Sequence, residues 1–157
     1  MKYLSDALVI NKSILAVDFQ GNHKNYIQLT NQKENQFGPL GSQYCGRIFE
    51  KNQSITRIDL DNNKIGSEGI KYIVEGLKNN KFVKEISLFD NEIGISGAKS
   101  LSDLLKLNST ISEINLGEND LKVEGIALIS EGLATNKSII LINLESKTKI
   151  CHHFKTF

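Results

Sequence analysis

The side chains with the clearest metal-binding or nucleophilic chemistry are those of Cys151-His152-His153, near the end of the chain. Thiolate and imidazole groups are the ligands that zinc prefers, but a closed zinc site needs about four of them. No second ligand pair such as Cys-x-x-Cys occurs elsewhere in the sequence. Adjacent histidines on a strand also point to opposite faces, which makes a shared ion difficult. We therefore expect no metal site and no catalytic role for this segment.

Signals for phosphate binding and for disulfides are equally weak. The sequence contains no Gly-x-x-x-x-Gly-Lys-[Ser/Thr] loop. The glycines of Gly38-Pro-Leu-Gly41 and Gly94-Ile-Ser-Gly97 precede predicted helices, where anions can bind, but a repeated loop-to-helix turn explains both. Cys45 and Cys151 stand in unrelated settings, so no disulfide is predicted, and Cys45 is expected to be a buried thiol. The sequence predicts neither an enzyme nor a cofactor.

The strongest pattern is a 28-residue repeat, which defines the elements that position everything else. In each turn apolar residues occupy positions 1, 4, 6 and 11, and asparagine occupies position 9. Three turns align without a gap: Ile55-Thr-Arg-Ile-Asp-Leu-Asp-Asn-Asn63-Lys-Ile65, Val83-Lys-Glu-Ile-Ser-Leu-Phe-Asp-Asn91-Glu-Ile93 and Ile111-Ser-Glu-Ile-Asn-Leu-Gly-Glu-Asn119-Asp-Leu121. The apolar columns continue into a fourth strand at Ile142 and Leu144.

The second half of each turn has a helical period. Apolar residues spaced by three and seven form one stripe of a helix. The stripes consist of Ile70, Ile73 and Leu77, then Ala98, Leu101 and Leu105, then Ile126, Ile129 and Leu133. A glycine precedes each stripe, at Gly69, Gly97 and Gly125, and is expected where helix backbone and strand come too close for a side chain.

These residues resemble the leucine-rich repeat, specifically its longer ribonuclease-inhibitor type, over residues 52–144. The resemblance implies an α/β solenoid with a parallel β-sheet on the concave face and α-helices on the convex face. No single turn can cover its own apolar face, so stacked turns must bury it. The asparagines at position 9 are predicted to satisfy backbone groups where the chain leaves each strand, as scaffold rather than as a site.

We place residues 1–157 in a single domain with atypical ends, because terminal turns of a solenoid face water. Residues 52–138 are predicted to form three regular repeats, and residues 1–51 degenerate N-terminal turns and a cap. Counting back by 28 from Ile55 reaches Ile27 and puts Gln32 in a core column. Residues 14–20 and 25–30 are predicted to be two strands of a hairpin-like cap around Gly21-Asn22.

Residues 139–157 are predicted to form a last strand and a C-terminal cap. Lys147 replaces the repeated asparagine and Lys149 the following apolar residue. Ile150, Phe154 and Phe157 are expected to fold over the open end of the stack.

Composition predicts an ordinary globular chain, with 24% charged and 39% hydrophobic residues and a net charge of +1. No apolar run approaches the roughly 20 residues needed to span a bilayer, and no secretory signal is evident at the N-terminus. We expect a cytoplasmic monomer, or a protein of the host cytosol if the chain is a secreted bacterial effector.

The surface that the repeat exposes is unusual in its charge. Positions 3 and 5 of each strand are expected to face the concave side, and positions 7 and 8 to lie along its rim. These columns contain eight acidic residues, namely Asp18, Asp59, Asp61, Glu85, Asp90, Glu113, Glu118 and Glu145, and one basic residue, Arg57. The lysines lie on the helices or their loops, at Lys71, Lys78, Lys81, Lys99, Lys106 and Lys137.

Two interpretations of this acidic face stay open. The charges can simply keep a sheet face soluble, or they can dock a basic protein, because complementary potential steers encounter. Nucleic acid is disfavoured because phosphates would meet carboxylates. The predicted partner-binding residues are Arg57, Asp59, Asp61, Glu85, Ser87, Phe89, Asp90, Glu113, Asn115, Glu118, Leu141, Asn143 and Glu145. Phe89 is expected to be an exposed anchor, or else to lie flat over the adjacent loop.

Three functional hypotheses follow. The first is a protein-interaction module that binds a basic protein through its concave face and inhibits or regulates an enzyme, as the resemblance to ribonuclease inhibitor implies. The second is a regulator of GTPases, of the Ran-activating kind that shares this repeat. The third is a structural fragment of a larger repeat protein.

Overall fold

The computed structural model describes residues 2–20 and 38–146, and within them strands and helices alternate. The chain begins with helix α1, and each of the strands β1 to β4 is followed by a helix. The elements are α1 Lys2–Ile10, β1 Ala16–Asp18, α2 Gly38–Lys51, β2 Arg57–Asp59, α3 Gly66–Leu77, β3 Glu85–Ser87, α4 Gly94–Leu107, β4 Glu113–Asn115, α5 Lys122–Leu133 and β5 Leu141–Asn143.

The strands form one parallel sheet in the order β1-β2-β3-β4-β5. Arg57 pairs with Glu85, Glu85 with Glu113 and Glu113 with Leu141, so each neighbour along this row lies one repeat further on. Each connection between parallel strands contains a helix, as a parallel sheet requires. The register confirms the predicted repeat and its columns.

The core lies between the sheet and the helices. Its strand side is formed by the middle residue of each strand and the apolar residue two positions later, such as Ile86 and Leu88, which are 3% and 1% exposed. Its helix side is the predicted stripe, in which Ile73, Leu101 and Ile129 are fully buried. Successive turns therefore cover one another, as the apolar columns predict.

The strand that pairs with β2 lies within the predicted strand 14–20 and not at the position reached by counting back 28 residues. The neighbour of β2 is β1, in which Ala16 pairs with Arg57. In this register Ile14, and not Ile27, is the residue equivalent to Ile55 in the preceding turn. The prediction from Ile27 was wrong because it assumed the regular period, whereas the step from β1 to β2 is 41 residues. The helix of this turn is intact, and Cys45 and Phe49 are buried in it.

Parts of both predicted caps lie outside the described residues. They are the strand predicted over residues 25–30, the core position of Gln32 and the C-terminal segment 147–157 with Ile150, Phe154 and Phe157. The last predicted strand is present as β5.

The repeated glycines allow close contact between helices, not between helix and strand. A Cβ on Gly97 would lie 2.3 Å from Cγ2 of Ile93 and 3.0 Å from Cγ2 of Ile70, a residue of α3. A Cβ on Gly69 would likewise meet the side chains of Ser42 in α2 and Ile65. The expected contact with a strand was wrong: the side chains that a Cβ would meet belong to the residue just before the same helix and to the preceding helix.

The asparagines at position 9 form a buried ladder, which confirms their scaffold role. Asn91 Oδ1 accepts the backbone N–H of Asn63 at 2.9 Å, and Asn119 Oδ1 accepts that of Asn91 at 3.0 Å. Each side-chain amide donates to carbonyls of the bend, for example from Asn91 Nδ2 to the Leu60 oxygen at 2.9 Å. The ladder ties each turn to the next at the exit of the strand.

A second asparagine ladder lies at the entry to the strands, and sequence reasoning did not identify it. Asn80 Oδ1 accepts the N–H groups of Phe82 and Val83, each at 2.8 Å, while Asn80 Nδ2 donates to the Phe49 oxygen at 2.7 Å. The same pattern recurs at Asn52, Asn108 and Asn136. Its sequence signal is that these asparagines recur with the period of the repeat. The two ladders hold both ends of every inner strand.

Candidate protein-binding surface

The concave surface consists of the outward-facing residues of the strands and the rim that follows them. The middle residue of each strand points into the core, and the first and third residues point away from it. The pairing register places in one row Ala16, Arg57, Glu85, Glu113 and Leu141, and in the next Asp18, Asp59, Ser87, Asn115 and Asn143. These rows are the predicted columns. The structure therefore brings the strand residues of the predicted site together on one face.

The second of these rows also has a structural function. Side chains at the end of the strand accept the backbone N–H two residues later: Asp59 Oδ1 from Asp61 at 3.0 Å, and Asn115 Oδ1 from Gly117 at 3.1 Å. Asp18 and Asn143 do the same for Gln20 and Glu145. Short Asp and Asn side chains suit such local turns. Each commits one oxygen to the bend, and Asn115 also donates its Nδ2 to the Ser87 hydroxyl at 3.0 Å.

In the middle turn, the corresponding backbone N–H is bound by a side chain of the neighbouring turn. Its residue in this row is Ser87, and the N–H of Phe89 donates instead to Asp61 Oδ1 of the neighbouring turn, at 2.8 Å. The Ser87 hydroxyl donates to the same oxygen at 2.5 Å and accepts from Asn115 Nδ2 at 3.0 Å. Asp61, predicted as a binding residue, thus joins two turns at the centre of the surface.

The environment of Asp61 raises the pKa of its carboxyl above the usual value. Partial burial is the largest cause, and the charges of Asp59 and Asp18 act in the same direction. The hydrogen bonds from Ser87 and Phe89 oppose these effects. Burial first, and the neighbouring carboxylates of Asp59 and Asp18 second, therefore oppose ionisation of Asp61.

Asp61→Asn should change the pH dependence of stability. Because the folded pKa of Asp61 lies above the ordinary value of 3.8, the folded chain holds this proton more tightly than the unfolded chain. The contribution of this carboxyl to stability is thus largest at low pH and falls as pH rises through the raised pKa. Asparagine keeps an acceptor oxygen but does not titrate. Urea unfolding at pH 3 to 7 should show wild type losing stability relative to Asp61→Asn across that window.

Asp61→Ala is the companion variant, because it removes the acceptor as well as the charge. We expect it to be less stable than Asp61→Asn at every pH, since Phe89 N–H then loses its acceptor. A gain in the relative stability of wild type as pH rises would show that the hydrogen bonds, not burial, dominate the pKa of Asp61.

Phe89 is half-buried rather than exposed. A Cβ built on Gly117 would lie 2.9 Å from the Cδ2 atom of its ring, so the ring lies over the glycine of the next turn. The expectation of a fully exposed ring was wrong, and the alternative, a ring resting on the adjacent loop, describes the structure. One part of the ring still contributes to the rim of the concave surface.

Charges on the remaining concave surface are unevenly neutralised. Arg57 Nη1 lies 3.4 Å from Glu85 Oε2, between side chains that are 70% and 40% exposed. Glu113, next to Glu85 in the same row, is exposed and has no ion pair within residues 2–20 and 38–146. An exposed pair such as Arg57–Glu85 contributes little to stability. The single arginine therefore offsets one of several carboxylates, and the face stays negative.

The acidic rim is held rigidly by the backbone. Asp90 and Glu118 both adopt left-handed conformations, with φ of 52° and 56°. Their N–H groups donate to carbonyls of the following turn, from Asp90 to Gly117 at 3.0 Å and from Glu118 to Glu145 at 2.8 Å. Sequence reasoning assigned these residues to the rim but did not identify the backbone strain that aspartate tolerates better than glutamate.

No metal-binding or membrane-spanning feature occurs in the part of the chain that the structure describes. It contains no group of three or more His, Cys, Asp or Glu side chains that could hold an ion. None of its helices is long and apolar enough to cross a membrane. Burial raises the pKa of the Cys45 thiol to about 12, so this cysteine is not a nucleophile at neutral pH. Cys151-His152-His153 and His23 lie outside the described residues.

Comparison with known proteins agrees with the repeat. Residues 51–74 and 79–102 match the family model described as Leucine Rich repeat. Comparison with curated proteins gives no match. The fold is similar to a solved structure of "Leiomodin-1 Actin-Binding Site 2 (ABS2)", at 17% identity and a TM-score of 0.73, covering 96% of this chain and 78% of that one. It is also similar to a tropomodulin C-terminal domain from Caenorhabditis elegans, at 12% identity and a TM-score of 0.65, covering 94% and 84% of the two chains.

Proposed function

We propose that this leucine-rich repeat solenoid is a protein-interaction module whose concave surface binds a protein with a basic patch. The observation that carries the proposal is the difference in charge between the concave surface and the helical side. Within the described residues the concave surface has one arginine among acidic side chains, whereas the helices carry both signs, several in ion pairs such as Lys71–Glu68 and Lys78–Glu75. Solubility alone does not require that one face carry mainly one sign of charge.

The geometry suits a protein surface better than a small ligand. The strands present flat rows of side chains with fixed spacing, and the two asparagine ladders and the hydrogen-bonded rim keep those rows rigid. Rigid side chains lose little conformational entropy on binding, which favours affinity. An extended acidic row also orients a basic partner before contact.

Regulation of an enzyme is the consequence that we propose for such binding. A basic substrate-binding region of an enzyme would be covered when it docks on the concave surface, which gives inhibition by occlusion. Regulation of a GTPase and a role as part of a longer repeat array are the alternatives. An isolated chain that unfolds cooperatively as a monomer would favour a self-contained binding module over a fragment.

Charge reversal tests the acidic surface. Glu85→Lys with Glu113→Lys should lower the association rate about tenfold and weaken its dependence on salt, because long-range steering is lost. The partner is first captured from a cell lysate with wild type, and rates are then measured by surface plasmon resonance at low and high salt.

The control for this variant is Glu75→Lys with Asp103→Lys. It makes the same change in net charge on the helical side, and, as in the test variant, one of its two residues is ion-paired, Glu75 with Lys78. We expect association of the control to stay within about twofold of wild type, since its charges lie away from the docking face. Equal loss in both variants would mean that net charge, not the concave surface, controls association.

Phe89 should act as an apolar contact at the centre of the rim. Phe89→Ala is expected to weaken binding by about 2 kcal/mol, the magnitude typical of an aromatic hot spot. Because the ring also covers Gly117, some loss of stability is expected as well. Titration calorimetry with the captured partner measures the affinity, and thermal unfolding the stability.

Phe82→Ala is the matched aromatic control. Phe82 is 38% exposed and lies before β3, at the opposite end of that strand from Phe89. Its removal should leave affinity unchanged. If Phe89→Ala binds like wild type, or if both variants lose affinity equally, Phe89 is not an anchor.

Actin is a second candidate partner, because a solved structure described as an actin-binding site has the same fold over nearly the whole chain. Co-sedimentation with filamentous actin and fluorescence anisotropy with labelled monomeric actin test it directly. Binding that Glu85→Lys with Glu113→Lys abolishes would assign actin to the concave surface. Binding that this variant leaves intact would place actin on another surface.

A further inference from the structure

The last turn of the solenoid ends in an open pocket. In the inner turns the strand leucine and isoleucine columns are almost completely buried, but Ile142 and Leu144 in the last turn are only partly buried. Beside them a pocket of about 400 Å³ lies between the loop after β4, the start of α5 and the end of β5. The apolar part of its lining is Leu116, Leu121, Val123, Ile126 and Leu144.

This pocket is where the next repeat would place two side chains. In each inner turn the equivalent place is filled by two residues of the following turn, an asparagine and an apolar residue. For the turn that contains Asn91 these are Asn119 and Leu121. One period later the sequence has Lys147 and Lys149. Neither residue can replace the buried amide or the buried apolar group, so the regular repeat cannot fill the pocket.

The rim of the pocket is acidic. The lining includes Glu118, Asp120, Glu124 and Glu145, with Lys122 as its one basic residue. Lys122 Nζ lies 3.8 Å from Asp120 Oδ2 and offsets part of that charge. The pocket therefore suits a segment that combines apolar side chains for the floor with cations for the rim.

Residues 147–157 have this composition, and they leave the described structure at the pocket itself. Ser146 belongs to the pocket lining, so the following residues start at its edge. They contain Lys147, Lys149 and Lys155 and no acidic residue, together with the apolar side chains Ile150, Phe154 and Phe157. The chain from Ser146 to Phe154 has an extended reach of up to about 26 Å, which is more than the pocket requires.

We infer that residues 147–157 bind in this pocket of their own chain, with Ile150 and Phe154 on the apolar floor and the lysines against the acidic rim. Covering the partly buried Ile142 and Leu144 supplies the apolar contacts that a following repeat would otherwise make. Glu118 and Glu145 belong both to this rim and to the concave surface. The bound segment thus shields two carboxylates from a basic partner, a consequence that rests on the proposed function, whereas the binding itself does not.

Disulfide trapping with the native Cys151 tests this inference on the full chain. Val123→Cys places an accessible thiol at the pocket, since Val123 is 61% exposed, while the buried Cys45 does not compete. In a buffer of reduced and oxidised glutathione, a seated segment should form an intramolecular disulfide between the introduced thiol and Cys151, because tethering and seating together raise the effective concentration. Non-reducing electrophoresis and intact mass report it.

Two control variants separate binding from simple tethering. Leu107→Cys carries an equally accessible thiol, 64% exposed at Leu107, at the C-terminal end of α4 instead of the start of α5. It should give little intramolecular disulfide. Adding Ile150→Asp and Phe154→Asp to Val123→Cys keeps the tether but removes the apolar contacts, and should slow disulfide formation at least about tenfold.

Equal rates with and without the two aspartate substitutions would overturn the inference, because proximity along the chain would then explain the disulfide. A disulfide that joins two chains, at a rate that rises with protein concentration, would also overturn it and assign the pocket to a second copy. Neither readout requires the partner, so this test fails or succeeds independently of the proposed function.

Discussion

Leu88→Ala is expected to lower the free energy of unfolding by about 2–5 kcal/mol, the range for a large-to-small change in a closed core. Leu88 is 1% exposed and lies in the central strand region, with Leu60 and Leu116 of the neighbouring turns in the same buried column. Each of these neighbours is fixed by its own turn, so the cavity cannot collapse. Equilibrium unfolding in urea measures the loss, provided that the slope with denaturant stays unchanged.

Leu144→Ala is the matched control, since it makes the same change in the same column. Leu144 is only partly buried. Its loss should be smaller than that of Leu88→Ala, as less contact is removed and the site is open to relaxation. A loss below about 1 kcal/mol for Leu88→Ala, or equal losses for the two variants, would contradict the stacking of the core.

Asn91→Ala is expected to cost about 2–5 kcal/mol, although its side chain is polar and small. Asn91 is fully buried. Its Oδ1 accepts from the Asn63 N–H at 2.9 Å, and its Nδ2 donates to the Leu60 oxygen at 2.9 Å and the Phe89 oxygen at 3.1 Å. Alanine leaves the buried Asn63 N–H without an acceptor, which costs about 1–3 kcal/mol, and removes two further hydrogen bonds that contribute about 0.5–1.5 kcal/mol each. The Leu60 and Phe89 oxygens each keep one donor, Asn63 Nδ2 and the Asn62 N–H. Urea unfolding measures this variant as well.

Asn91→Asp separates the two functions of this amide. The carboxylate still accepts from the Asn63 N–H, but its second oxygen faces the carbonyls of Leu60 and Phe89 and cannot donate. The variant should therefore be as unstable as Asn91→Ala at neutral pH and recover part of its stability in acid, where the carboxyl is protonated. A cost of less than about 0.5 kcal/mol for Asn91→Ala would show that water replaces the ladder.

The repeat itself could be predicted from the sequence because its physical cause is local and periodic. Apolar residues at four fixed positions of each turn can be buried only if equivalent turns stack, so Ile58, Ile86, Ile114 and Ile142 had to lie in adjacent strands. The alternation of a strand then determines which neighbours point outward. The rows that contain Glu85 and Glu113 followed from this geometry alone, and the register confirmed them.

Departures from the period could not be predicted in the same way. The row that contains Ala16 is adjacent to Arg57 although the step between them is longer than the regular repeat. A parallel neighbour needs a strand that completes the hydrogen bonds of the sheet, and the number of residues between the two strands can vary. Counting by the regular period therefore reached Ile27. The glycines are a second example. A repeated glycine in the sequence predicts a close contact, but only the packed helices show which residues make that contact.

The composition of the acidic surface was determined by the sequence, and the function of each side chain in it by the tertiary structure. Asp59 and Asp61 have the same charge and lie two residues apart, yet Asp59 accepts an N–H of its own turn and Asp61 joins the next turn through Ser87 and Phe89. Ser87 does not accept the N–H of Phe89 as Asp or Asn does in that row, and the neighbouring Asp61 carboxylate accepts it instead. This change of hydrogen-bond acceptor depends on the distances between side chains of neighbouring turns, and a sequence pattern does not give those distances. The sequence alone determined the solenoid and the sign of its concave charge, while three-dimensional packing decided which carboxylates support the scaffold.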